Sequence, residues 1–508
     1  MLFNIKKVSK QLFLIATIVS FTKATLIADE LVIIGFSKKP GKAEKTLIKN
    51  IGGEIRYTYN ILPAISAKIP KEGVEILRNN PLVKYIEKDK AVMSINPNFL
   101  NSPRKINRYL NQDISLQPKK ISRSLDVEYQ NSWGVTHIKS KIAHDKQITG
   151  KGVKIAILDT GIDYNHKDLK DNYKGGYNFI HNDNDPFDDG WNTHGTHIAG
   201  IIAARKNGIG VVGVAPEASI YAVKVLDGSG FGMLSGIVAG IEWSINNDMD
   251  IANISIAGTD SIILRTAFEA SEKAGLLIVA AAGNSYGNLA SYPASYESVI
   301  AVTSTDATDK LSFFSPIDSV VEIAAPGLEI KSTSGDNKYS ILSGTSQSTA
   351  FVSGVAALVL SSGITDVRKK LQISALDLGE EGRDDKFGYG LVDANNAVSK
   401  TSTTYDVGFI QGEKDSRSWK TWSIPDNYYD DDDGTYVKGY DDGWESFDRL
   451  NPPVNEGDYD EGFKQGRADS CSWKTWSTPD NYLGNINYIK GYDDGWESCD
   501  RTGTTGTN

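Results

Sequence analysis

Between residues 129 and 400, apolar runs of strand length alternate with helical patterns, and this alternation restricts the fold more than any other feature. VKIAILDTG, SIYAVKVLD, DIANISIAG, LLIVAAAGN and SVIAVTST are the strand-like runs. GTHIAGIIAAR, LSGIVAGIEWSINND and ILRTAFEASEKAG, which lie between them, have helical spacing. Strands apolar along their whole length must be covered on both faces, and the helices between them supply the cover. The expected class is α/β, a parallel twisted sheet flanked by helices. In such sheets the chemistry gathers at the C-terminal ends of the strands.

Four polar residues stand where the chain leaves a strand or enters a helix. AILDTGID puts Asp159 at the end of a buried strand, where an unpaired carboxylate is expensive. NTHGTHIAG puts His194 at the head of a helix rich in small residues. VAAAGN places Asn284 at another strand end, and SGTSQSTA places Ser346 at another helix head. Taken singly, these are a turn residue, a cap, a left-handed turn residue and a cap. Taken together they are the parts of nucleophilic acyl transfer: a serine, a base to take its proton, a carboxylate to orient the base, and an oxyanion donor.

The blocks SWGV, TGKGVKIAILDTGID, HKDL, HGTHIAG, IGVVGVAPEASIYAVKVL, GIEW, YPASYESVIAV, AAPG, GTS and FGYGLVDA occur in this order. Through them the chain resembles the subtilisin-like serine peptidases over nearly all of residues 129–400. The resemblance implies a serine endopeptidase in which Asp159 orients His194, His194 is the general base and Ser346 attacks the peptide carbonyl. Asn284 and the Ser346 backbone N–H would hold the oxyanion. His197, three residues after His194, is a rival base that the resemblance assigns a structural part. A polypeptide substrate should add as a strand beside GSGFG (Gly230, Gly232) and SIAG (Ser255, Ile256). Ala281, Ala282, Gly283 and Ser291 would line the first specificity pocket; being small and uncharged, they suit a large or medium apolar side chain. The resemblance also points to a structural calcium ion at Asp168 and Asn207, with carbonyls around Arg205, Ile209 and Val211. No glutamine falls squarely at its N-terminal ligand position, Gln130 being one residue off, and Lys206 adds unfavourable charge. Calcium therefore stays open; no other cofactor is expected. Gln347, Ala350 and Phe351 replace the methionine, proline and histidine usual after the family's serine, and Ala257 replaces a common glycine. These departures bear on rate and specificity without removing a catalytic group.

The rest of the chain reads as separate pieces. Residues 1–24 have a basic start (Lys6, Lys7, Lys10), the apolar run LFLIATIVSF and small or hydroxylated residues at Thr22 and Ala24, the order of a signal peptide. Export is therefore expected, and no later run is long and apolar enough to span a membrane. Residues 31–93 read as a small α+β domain with strands at ELVIIGF, AISAKIP and LVKYIEKDKAV and helices at KAEKTLIKNIG and EGVEILRNN. It resembles the family's inhibitory propeptide, which implies an intramolecular inhibitor. Residues 94–128 read as an exposed linker with a processing site. Residues 405–450 return as 459–501, a duplication rich in Trp, Tyr, Gly and Asp. An EF-hand fits DDDDG poorly, because Gly434 at the loop glycine puts Tyr429 and Tyr440 at ligand positions. The repeats read as small cores or as the seat of an unknown ligand. The contrasting function, a catalytically weak secreted binding protein working through these repeats, has the intact quartet against it. Cys471 and Cys499, the only cysteines, both fall in the second repeat, where an exported chain would permit a disulfide. A formal net charge of -10 argues against nonspecific nucleic-acid binding.

Overall fold

The computed structural model describes residues 29–95 and 127–399. The expected signal peptide, most of the linker, and both repeats with their cysteines lie outside the described residues. The chain divides into two units at Asp89/Lys90.

In the first unit, strands β1 (Glu30–Phe36), β2 (Glu54–Thr58), β3 (Ala64–Ile69) and β4 (Val83–Lys88) form one antiparallel sheet in the order β2-β3-β1-β4. Helices Lys42–Asn50 and Lys71–Arg78 complete a β-α-β-β-α-β unit. Their apolar stripes, Ile48 on one and Val74 with Leu77 on the other, bury against Val32, Ile34, Phe36, Ile65 and Ile69. The first helix stops at Gly52, whose positive φ lets Gly52 and Gly53 donate back to the Lys49 and Ile48 carbonyls. One expectation is corrected here. LVKYIEKDKAV is not a single strand: β4 ends at Lys88, where Asp89 donates its N–H to the Leu31 carbonyl and pairs with Arg56. The next strand, β5 (Ala91–Ser94), belongs to a different sheet. Ser94 is therefore a buried sheet residue, and Ile95 just beyond the strand is buried and donates its N–H to the Ser255 carbonyl; neither starts an exposed linker.

The second unit is built on β6 (Lys154–Asp159), β7 (Tyr173–Asn178), β8 (Ser219–Lys224), β10 (Ile251–Ile254), β12 (Leu277–Ala281), β13 (Val299–Thr305) and β14 (Ile323–Pro326). All neighbours are parallel, in the order β14-β13-β12-β10-β6-β8-β7. The order reverses at β6, with β8 and β7 on one side and β10 to β14 on the other, and open parallel sheets keep their sites at such a point. Helix Thr345–Ser361 is buried on every side over residues 345–359, which its small residues permit. Val352, Val355 and Val359 join Ile157, Val279 and Ile300 in one core. The short strands β9 (Phe231–Met233) and β11 (Ile256–Ala257) flank β5 on its two sides, and β15 (Ile330–Ser334) pairs with β16 (Lys338–Leu342) as a hairpin.

Candidate active site

Asp159 is the last residue of β6 and His194 the first of helix His194–Ala203. Both side chains are buried, and the imidazole Nδ1–H donates to both carboxylate oxygens at 2.8 and 2.9 Å. The helix reaches β6 because position 195 is glycine; a Cβ there would stand 2.2 Å from the Gly161 carbonyl oxygen and 3.1 Å from the Asp159 Cβ. The Asp159 carboxylate also accepts the Thr160 N–H at 2.7 Å, so its oxygens are satisfied without water. Burial pulls the His194 pKa down, but the charge and hydrogen bond of Asp159 outweigh it and hold the imidazole above its ordinary value. His194 Nε2 is buried and has no hydrogen-bond partner.

The second group comes from β12 and the helix at residue 345. Asn284 follows β12, and its Oδ1 accepts both the N–H (3.1 Å) and the hydroxyl (3.2 Å) of Thr345. These bonds fix the amide so that Nδ2 points the other way, and Nδ2 too is buried without a partner. Thr345 Oγ1 in turn accepts the Gly283 N–H at 3.1 Å. Ser346 is buried beside it as the second residue of the helix, and its Oγ donates to the Ile95 carbonyl at 2.8 Å.

The expected peptide groove is filled by the chain's own β5. This strand is the middle of the antiparallel sheet β11-β5-β9, with Val92 opposite Gly232, Met93 between Phe231 and Ala257, and Ser94 opposite Ile256. Ser94 donates to the Gly230 carbonyl at 2.8 Å and Ile95 to the Ser255 carbonyl at 3.1 Å. Gly230, Gly232, Ser255 and Ile256 thus all border one extended peptide. Ala281 and Ala282 are fully buried. Gly283 has φ of +113°, and a Cβ there would stand 2.9 Å from Ser291 Oγ, while Ser291 donates to the Ala282 carbonyl. The four expected pocket residues are therefore contiguous and lie next to Asn284.

An extended peptide set on Ser346 by backbone bonds, with a buried imidazole–carboxylate pair on another strand end, is a constellation for acyl transfer. The subtilase family pattern matches residues 150–390. Over 381 residues the chain is 36% identical to Subtilisin NAT of Bacillus subtilis subsp. natto, covering 72% of this chain and 90% of the relative. The chain belongs to the subtilase family. It is a subtilisin-like serine endopeptidase. M-protease of Shouchella clausii is 36% identical over 350 residues, 68% of this subtilase and 82% of the relative. The Minor extracellular protease Epr of Bacillus subtilis is 36% identical over 387 residues, 75% of this chain and 56% of the relative.

Several residues around the site went unread in this subtilase's sequence. Asp188, one acid among many, is buried behind His194 and accepts the N–H and hydroxyl of Thr196 at 3.0 and 2.7 Å. Burial pushes its carboxyl up, and its charge adds to the upward pull on His194. Lys224 is a buried ammonium held by the Thr160 carbonyl and by Asp189 at 2.8 Å. Asp188 lies outside the quoted motifs, and Lys224, though inside the SIYAVKVL block, reads there as one polar residue of an apolar strand. Ile95 was missed because it falls within the polar text from residue 94 onward that reads as linker. His197 turns away from the cleft, its Nε2–H reaching the Ile330 and Ser340 carbonyls at 3.1 and 3.3 Å. Burial drives its pKa down to about 3, so it stays neutral. Phe351 lies over Gly134, where a Cβ would stand 2.4 Å from its ring. Asp168 and Asn207 are brought together: Asn207 Nδ2 donates to Asp168 Oδ1 at 3.2 Å.

Proposed function

We propose that this subtilase is an exported endopeptidase, made as a precursor, that works through Ser346, His194 and Asp159. The observation that carries this reading is that two buried atoms, His194 Nε2 and Asn284 Nδ2, lack partners, while Ser346 Oγ meets a peptide carbonyl. A buried N–H or ring nitrogen left unsatisfied is costly, and a reacting peptide would satisfy both atoms. His194 takes the Ser346 proton as Oγ bonds to the carbonyl carbon. Asp159 balances the imidazolium, and Asn284 Nδ2 and the Ser346 N–H hold the oxyanion. The C–N bond then breaks, His194 gives its proton to the leaving amine, and water hydrolyses the ester by the same route in reverse.

The first substrate on this reading is the chain itself, cut between Ile95 and Asn96. Residues 29–95 act as an intramolecular inhibitor until they are released. An aliphatic residue at position 95 agrees with a pocket of Ala281, Ala282, Gly283 and Ser291. Export is supported by the order of basic, apolar and small residues at 1–24 and by an extracellular protease among the relatives. Expression with and without Ser346→Ala, followed by intact mass, tests the reading. The wild type should release a fragment ending at Ile95 while the variant stays whole and fails to cleave casein. Identical maturation of both forms would remove Ser346 as the nucleophile acting on its own chain, and a fragment ending elsewhere would remove Ile95 as the cut.

A further inference from the structure

The family resemblance points to calcium at the loop 204–211, and the residues built around that loop use their oxygens differently. Calcium takes about six to eight oxygen ligands at roughly 2.3–2.6 Å. Here Asp168 Oδ1 accepts Asn207 Nδ2, and Asp168 Oδ2 accepts the Tyr339 hydroxyl at 2.8 Å and the Val211 N–H at 3.4 Å. Asn207 Oδ1 accepts the Ile209 N–H at 3.2 Å. The Gly210 carbonyl accepts Asn131 Nδ2 at 2.7 Å. The loop also lies tightly on Asp168: a Cβ at Gly210 would stand 1.9 Å from the Tyr339 hydroxyl and 2.3 Å from Asp168 Oδ2. Among the described residues, no three of His, Cys, Asp and Glu gather where they could hold a metal ion.

A second buried carboxylate completes the arrangement. Glu128, in the helix Val127–Asn131, is 1% exposed, and its Oε2 accepts the N–H groups of Asn207 at 3.0 Å and Gly208 at 2.7 Å. Positive charge at the loop comes from the chain itself. The Lys206 ammonium lies 5.4 Å from the centre of the Tyr129 ring, and Lys141 lies at the same distance from that ring. The Arg205 guanidinium is drawn off to Asp171 at 3.2 Å. Tyr129 is itself anchored, its hydroxyl 2.7 Å from His144 Nδ1. A divalent cation here would meet a resident ammonium and would compete with the N–H and O–H donors already held by Asp168 and by Asn207 Oδ1.

We infer that this loop is a metal-independent clamp. Glu128 and Asp168 hold residues 204–211 through N–H and O–H donors, and Lys206 supplies the local positive charge, so the peptidase unit keeps this corner folded without calcium. The test uses the full-length Ser346→Ala protein, so it needs no catalysis and is independent of the proposed active site. Hydrogen exchange is read on peptides covering 204–211, in EGTA and in millimolar CaCl2, so that calcium bound elsewhere on the chain does not enter. Exchange should agree within about twofold between the two media. Glu128→Gln should speed exchange across 204–211 by about tenfold in both media, while Glu217→Gln, at an exposed carboxylate outside the loop, should not. Calcium slowing exchange at 204–211 by tenfold or more in the unsubstituted protein would overturn the inference, as would a Glu128→Gln loop protected like the parent. Should Glu128→Gln fail to fold, the comparison of the two media alone still decides.

Discussion

Thr345→Val is the substitution that isolates orientation from chemistry in this site. The Thr345 hydroxyl donates to Asn284 Oδ1 at 3.2 Å and accepts the buried Gly283 N–H at 3.1 Å. Valine keeps the shape and removes both bonds. The Thr345 backbone N–H still reaches Asn284 Oδ1 at 3.1 Å, so the amide is loosened and not released. Complete loss of the equivalent donor costs about 10²–10³ in kcat, a figure measured on a subtilisin, that is, on a member of this same family. Losing one of two orienting bonds should fall short of that ceiling, at roughly 10- to 50-fold. The stranded Gly283 N–H adds about 1–3 kcal/mol of destabilisation. The assay is steady-state cleavage of a chromogenic peptide by matured enzyme, together with a thermal melt. Because Asn284 Nδ2 would act on the developing oxyanion, kcat should carry the loss and KM should stay near its parent value. Thr345→Ser should recover most of the rate. A kcat within twofold of the parent, with only the melt lowered, would refute the claim that Thr345 sets the amide. A rise in KM at constant kcat would mean that the residue serves binding instead.

Three further outcomes are expected. Asp159→Asn should lower kcat by about 10⁴, the scale found for the corresponding change in serine peptidases. Since Asp159 holds His194 above the ordinary histidine range and the neutral ring is the base, the acid limb of kcat/KM should shift to lower pH in the variant; an unmoved limb would detach the titration from this pair. Gly195→Ala should destabilise the fold by about 1–3 kcal/mol, because the new Cβ meets the Gly161 carbonyl and drives the helix off β6; a melt unchanged by this substitution would contradict that packing. Acidification should also cost stability. His144, His166 and His197 are all held below their ordinary value, chiefly by burial, and His197 is held at about 3. The unfolded chain then binds protons that the folded chain does not once pH falls below about 6.5; His197 removes roughly 1 kcal/mol per pH unit, and His144 and His166 act in the same direction. His194, shifted upward, acts in the opposite direction. Denaturant titrations of the Ser346→Ala protein at pH 7.5, 6.5 and 5.5 should show the decline, and His197→Gln should flatten it; equal slopes would refute the His197 contribution.

The parallel sheet was legible because burial on both faces leaves a mark in the text. Residues such as KIAILD and VIAVTST are apolar at successive positions, and only a sheet covered twice accepts them. Asp159 and His194 were legible for a related reason: polar groups at the ends of apolar runs are conspicuous. What pattern did not carry was anything set by a contact between distant segments. Glu128 looks like one more acid in a polar stretch, and only the approach of Asn207 and Gly208 turns it into a buried acceptor. Asp188 acquires its environment from Thr196, which the chain brings back by a helix start. The break between β4 and β5 was missed because each piece alternates on its own, and alternation does not say which sheet a strand joins.

The two kinds of sheet in the second unit divide the work of this site. The parallel sheet delivers Asp159 from β6 and Asn284 from the end of β12, while helix heads deliver His194 and Ser346; no register of theirs depends on what enters the groove. The antiparallel sheet β11-β5-β9 is different, since its central strand is β5, a segment from outside the 129–400 region that supplies the parallel sheet. Its bonds to Gly230 and Ser255 use only main-chain groups of Ser94 and Ile95, so they fix where the carbonyl falls without naming the side chain. It follows that a segment bound this way keeps the bonds from Ser94 to Gly230 and from Ile95 to Ser255 after its carbonyl is cut, because those bonds lie on the side that stays. A strand able to guide its own cleavage would therefore remain as a competitor for the groove afterwards. Cleavage between Ile95 and Asn96 alone would not open the site. Release of β5 would be a separate step, set by how long its hydrogen bonds to β9 and β11 survive.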